Sequence, residues 1–94
     1  MKLYEFKYHY ISVLSEYQPR NEEEKELKEM LIDKLYYLRA PNLVSLSRQL
    51  HQIIDKYMVS EDFKEICRQM IRDIREIKPR TRATRGRKTR NEVQ

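Results

Sequence analysis

The sequence has one glycine, one cysteine, three prolines and no tryptophan. So few glycines and prolines leave little material for tight reverse turns, which argues against hairpins, barrels and sandwiches. A lone cysteine, Cys67, excludes an intramolecular disulfide and a cysteine-based zinc site, and it fits a reducing compartment. No apolar run approaches the length of a membrane span, and the opening MKLYEFKYHY does not read as a signal peptide. A glycine-rich phosphate loop is also missing. These absences point to an intracellular, cytoplasmic helical protein.

What the chain does have is charge, tyrosine and helical periodicity. Its 94 residues suit one small domain, close to the size at which a single core is barely sufficient. Seven tyrosines can pack their rings while keeping the hydroxyl wet, at a core edge or a partner surface. The net charge of +5 is unevenly spread. Residues 1–77 carry 13 Lys/Arg against 14 Asp/Glu, whereas residues 78–94 carry seven Lys/Arg against Glu92 alone. A nearly neutral body therefore precedes a basic arm.

The body is organised around Asn42 to Met58, NLVSLSRQLHQIIDKYM. At about 100° per residue, Leu43, Val44, Leu46, Leu50, Ile53, Ile54, Tyr57 and Met58 fall within one half of a helical wheel. Only Arg48, Asp55 and Lys56 are charged, so this helix is expected at the centre of the fold, with Leu50 and Ile54 deep in the core. Upstream, residues 3–17 put Leu3, Phe6, Tyr10, Val13, Leu14 and Tyr17 on one face. Tyr4, Tyr8 and Ile11 form an adjoining stripe. That stripe either caps the core with half-exposed rings or meets a second subunit as a homodimer.

Pro19 ends the first helix, because the residue before a proline avoids helical geometry. Asn21 and Glu24 have the spacing of a capping box, with Glu22 and Glu23 at the positive end of the helix dipole. The second helix is expected over 21–39, with Leu27, Met30, Leu31, Leu35 and Leu38 inward and Tyr36 and Tyr37 widening that face. Ala40-Pro41-Asn42 makes a short link, with Asn42 as the next cap. Ser60, followed by Glu61 and Asp62, marks a turn before a last helix over 60–78. There Phe63, Ile66, Cys67, Met70, Ile71, Ile74 and Ile77 form the apolar arc. Lys64, Arg68, Arg72 and Arg75 flank it on one side, and Asp62, Glu65, Asp73 and Glu76 on the other. The expected fold is all-α: a small bundle of about four short helices, near 3–17, 21–39, 42–58 and 60–78, with no sheet.

From Pro79 onward, PRTRATRGRKTRNEVQ has no apolar periodicity. Residues 1–78 therefore read as the helical domain and 79–94 as a basic tail, expected to be disordered when free. Lys78, Arg80, Arg82, Arg85, Arg87, Lys88 and Arg90 can neutralise phosphates and release counterions. Arg68, Arg72 and Arg75 border this arm on the last helix, and together these groups form the candidate contact set for DNA or RNA. An acidic protein or membrane contact and a purely solubilising role are the alternatives for the arm. Arg85-Gly86-Arg87 resembles the Arg-Gly-Arg core of an AT-hook, with Thr84 and Lys88 where that motif has prolines.

Ser47, His51 and Asp55 recur every four residues on the central helix. A hydrolytic triad also needs oxyanion donors and a strained nucleophile position, and a regular helix supplies neither. A structural i, i+4 contact between His51 and Asp55 is the expectation instead. His9 and His51 belong to no further ligand pattern, so neither metal nor cofactor is expected.

Leu46-Ser47-x-x-Leu50-His51-x-Ile53-Ile54-x-x-Tyr57 resembles the signature of small aspartyl-phosphate phosphatases of sporulating bacteria, the stage-zero sporulation E type. Ile32-Asp33-Lys34-Leu35-Tyr36-Tyr37-Leu38 is similar to the end of that family's first helix. The likeness covers about residues 27–58. It implies a helical hairpin docking on a response-regulator receiver domain, with Ser47 and Gln49 as matching interface residues. His51 stands where the family has its functional aspartate, Arg48-Gln49 replaces Gln-Glu, and the link between the helices is several residues shorter. Two functional classes follow. One is a non-enzymatic regulatory or accessory protein that holds nucleic acid by its arm. The other is a response-regulator antagonist, or phosphatase-like protein, acting through the central hairpin with Ser47, Gln49 and His51.

Overall fold

A computed structural model describes residues 1–77. The arm, including Lys78, Arg80, Arg82, Arg85, Arg87, Lys88 and Arg90, lies outside the described residues, as does the expectation that it is disordered. The described residues form four helices and no strand: α1 (Leu3–Glu16), α2 (Glu22–Tyr36), α3 (Leu43–Lys56) and α4 (Glu61–Glu76). A single 3₁₀ turn, Ala40–Asn42, precedes α3. Four helices joined by short links alternate in direction, and the closest packing is of α1 on α2 and of α3 on α4. The ring closes where α4 lies antiparallel to α1. Tyr17 near the end of α1 meets Ser60 and Phe63 at the start of α4, and Tyr10 meets Asp73 one turn from its end.

All four helices share the core. Phe6, Tyr10 and Leu14 come from α1; Leu27, Leu31 and Leu35 from α2; Leu46, Leu50 and Ile53 from α3; Phe63, Cys67, Met70 and Ile71 from α4. The link residue Leu38 is also buried. The expectation that α3 is uniquely central is therefore corrected. A helix at one corner of a bundle buries a stripe of roughly 100°, not half its circumference. Leu46, Leu50 and Ile53 occupy that stripe, Leu43 and Ile54 lie half-buried at its edge, and Val44, Tyr57 and Met58 are exposed.

The helix ends show which local rules operate. Asn21 accepts a hydrogen bond from the Glu24 backbone N–H at 2.8 Å, capping α2 as its type and position predict. Ser60 caps α4 through the Phe63 N–H at 3.4 Å, which makes α3 and α4 separate helices. Asn42 does not cap: it is the last residue of the 3₁₀ turn, in right-handed geometry, and its side chain makes no cap hydrogen bond. The second helix stops at Tyr36, three residues before the expected Arg39. From there the backbone must reach the extended geometry Arg39 adopts ahead of the 3₁₀ turn at Pro41. Tyr36 and Tyr37 are then exposed and do not widen the core face. Among the described residues no helix stops with a left-handed residue: Tyr17, Tyr57 and Ile77 all leave their helices in extended geometry.

Truncating Leu50, which is fully buried, to Ala should cost roughly 2–5 kcal/mol. The half-buried Ile54→Ala should cost clearly less than Leu50→Ala. Urea unfolding followed by far-UV circular dichroism measures both, and equal losses would mean that Ile54 is as deep as Leu50.

Candidate functional site

Charge on α4 is sorted into two flanks, and the fold treats them differently. On the acidic flank, Asp62 pairs with Arg20 of the α1–α2 link, and Asp73 accepts the hydroxyl of Tyr10. Burial first, and then that hydrogen bond, raise the Tyr10 phenol well above its ordinary pKa. On the basic flank, Arg68 is held by Glu61 at 3.3 Å and Glu65 at 3.0 Å, and Lys64 lies 3.9 Å from Glu61. Glu65, grouped by periodicity with the acidic flank, thus serves the basic one. Arg72 and Arg75 are exposed and form no ion pair among the described residues. These two guanidinium groups occupy the last turns of α4, directly before the arm.

Ser47, His51 and Asp55 lie on successive turns of α3. Ser47 is half-buried, whereas His51 and Asp55 are exposed, and no hydrogen bond or ion pair joins them among the described residues. Gln49 turns toward α2, its Nε2 donating to the Met30 Sδ at 3.4 Å. Beside it, a shallow groove of about 200 Å³ between α2 and α3 is lined by Lys34, Tyr37, Asn42, Ser45 and Gln49 over Leu38 and Leu46. Among the described residues no group of three His, Cys, Asp or Glu side chains could hold a metal ion. None of the helices there is long and apolar enough to cross a membrane.

Among the described residues the one buried charged side chain is Glu24. Its carboxylate accepts from the Tyr17 hydroxyl at 2.6 Å, the Arg20 backbone N–H at 3.0 Å and the Ser60 backbone N–H at 2.6 Å. Tyr17 and Ser60 are themselves 3.0 Å apart through their hydroxyls. Burial alone would raise the pKa of this carboxyl, but the donors outweigh it and hold it at about 2. Capping-box spacing draws attention to Glu24, yet the reciprocal bond to Asn21 is replaced by Arg20 and Ser60. Sequence offers no signal for the Ser60 partner, 36 residues away. With a hydroxyl and two backbone N–H groups from three parts of the chain aimed at its carboxylate, Glu24 acts as a clamp.

Cys67 is fully buried, and burial pushes its thiol up to about 12, which removes it from thiolate chemistry at neutral pH. Of the α1 stripe, Tyr4 and Tyr8 are exposed and Ile11 is half-buried.

No protein-family model, curated protein or solved structure matches the chain.

Glu24→Gln should destabilise the fold by about 2–4 kcal/mol, because the amide turns its own donors toward existing donors. The sign of the pH effect follows from the lowered pKa. The stabilisation by Glu24 is complete above the unfolded carboxyl value near 4.5 and is lost as pH falls toward about 2. Unfolding free energies measured across that window should fall less steeply in Glu24→Gln than in the parent protein. Parallel curves would remove the carboxylate from this role.

Proposed function

We propose that this chain is a small, non-enzymatic accessory or regulatory protein of the cytoplasm that holds DNA or RNA through its basic arm and the end of α4. The observation that supports this reading is the asymmetry of the α4 flanks. Asp62 is met by Arg20 in an exposed ion pair and Asp73 accepts the Tyr10 hydroxyl, while Arg72 and Arg75 are exposed and form no ion pair among the described residues. They extend the line of positive charge that continues in sequence as Lys78, Arg80, Arg82, Arg85, Arg87, Lys88 and Arg90. A body with 13 basic and 14 acidic groups gives a polyanion little general attraction. Binding is therefore concentrated on one end of the molecule.

Phosphate contact carries its own signature, because each neutralised phosphate releases condensed counterions. Engaging about four of the arm's seven basic groups on duplex DNA should give a log–log salt slope of roughly −3.6. Truncation after Ile77 should abolish most binding yet leave the helical body folded, since the entire buried core lies within residues 6–71. Arg72→Ala with Arg75→Ala should weaken binding and flatten the slope by up to about 1.8. Arg68→Ala should change less, its charge already being met by Glu61 and Glu65. Titrations of these variants on DNA and RNA at several salt concentrations test the reading. Equal, negligible binding by full-length and truncated protein would overturn it in favour of a protein partner, such as an acidic receiver domain docking on Ser47, Gln49 and His51.

A further inference from the structure

Three tyrosines stand out on α1 and α2 because the fold leaves them largely uncovered. Tyr4 is 57% exposed, Tyr8 66% and Tyr36 63%. They lie on one surface. The Lys28 ammonium donates to the backbone carbonyls of Ser15, at 3.5 Å, and Tyr17, at 2.8 Å, so the Lys28 stripe of α2 faces α1. Ile32 and Tyr36 follow Lys28 at successive intervals of four residues on that stripe. Tyr4, Tyr8 and Ile11 precede Ser15 on the matching stripe of α1. With the helices antiparallel and Ser15 level with Lys28, Ile11 comes level with Ile32 and Tyr8 with Tyr36. Ile11 and Ile32 are both half-buried against the core, so the patch is anchored in the bundle and does not sit on a loop.

We infer that this outer face of the α1–α2 hairpin binds a second copy of the same chain. Its chemistry is apolar and aromatic, and the charges bordering it, Lys7 and Lys28 against Glu29 and Asp33, cancel. A polyanion gains nothing from such a surface, so the face is separate from the basic end of α4 and independent of the nucleic-acid reading. Its size suits a dimer. The three rings leave roughly 400 Å² of tyrosine surface uncovered, and with the two isoleucines and the polar rim this approaches the roughly 800 Å² per partner of a standard interface. The stripe is also self-complementary. A two-fold axis through its middle sets the Tyr4, Tyr8, Ile11 row of one copy along the same row of the other, as an isologous contact requires. The side chains that meet are rigid aromatics, which lose little rotamer entropy on association and are favoured as interface anchors.

Sedimentation velocity on the nuclease-treated full chain tests the proposal. The expected result is a dimer at micromolar concentration that persists in high salt. Tyr8→Glu, and separately Tyr36→Glu on the other helix, should each raise the dimer dissociation constant about 30-fold or more. Both sites are exposed, so helix content by circular dichroism should be unchanged. Tyr37→Glu is the control: at 76% exposure it is at least as open, but it lies at the α2–α3 groove and should leave the dimer intact. A parent protein that remains monomeric at high micromolar concentration would overturn the proposal. So would association that disappears with nuclease, or a dimer broken by Tyr37→Glu and indifferent to Tyr8→Glu and Tyr36→Glu.

Discussion

The bundle depends on one buried carboxylate. Glu24 collects a hydroxyl from the end of α1, a backbone N–H from the α1–α2 link and a backbone N–H from the cap of α4. A negative charge removed from water is costly unless its lone pairs are met, and here they are met by three different parts of the chain. None of those donors can turn elsewhere without leaving the charge bare. The clamp therefore sets the position of α4 relative to the first hairpin, and with it the direction in which the basic end of α4 points. Core burial supplies the driving force, but apolar contacts are non-directional and would tolerate some sliding of one helix pair on the other. The fixed register comes from the polar end.

The other end of the α1–α4 contact is tied differently. Tyr10 has its ring in the core and passes only its hydroxyl to Asp73. An aromatic residue with a polar tip can do this at little cost, since the acid remains at the bundle edge. The two ties have a shared effect on surface charge. They engage acidic groups of α2 and α4 in hydrogen bonds, while Arg72 and Arg75 form no ion pair among the described residues. Distribution, not net charge, decides where a polyanion would find this molecule.

Much of the fold was legible from residue pattern. Four helices, the break at Pro19, the caps at Asn21 and Ser60 and most buried positions follow from period, proline placement and cap chemistry. The misses have physical causes. Periodicity assigns a half-wheel to α3, but the fraction of that arc a corner helix buries depends on its neighbours, so Val44, Tyr57 and Met58 emerge at the surface. Asn42 has the right type for a cap, yet the 3₁₀ turn at Pro41 already commits its backbone. Glu24 reads as the capping-box partner of Asn21, but not as the acceptor of the Ser60 N–H. Only the docking of α4 supplies that donor. The candidate site was legible as a basic flank, but not that Arg68 is occupied by Glu61 and Glu65 while Arg72 and Arg75 are left open. That distinction depends on rotamers one turn apart.

The helix ends carry a last consequence. Because α1, α3 and α4 run out into extended backbone instead of a left-handed turn, their closing residues occupy dihedral angles open to any L-amino acid. The links make almost no stereochemical demand, and a replacement there strains nothing as long as it leaves the clamping side chains in place. Mutational drift can therefore rewrite much of the connecting sequence while the architecture stands. The constraint falls on a few scattered polar positions, Asn21, Glu24 and Ser60 foremost.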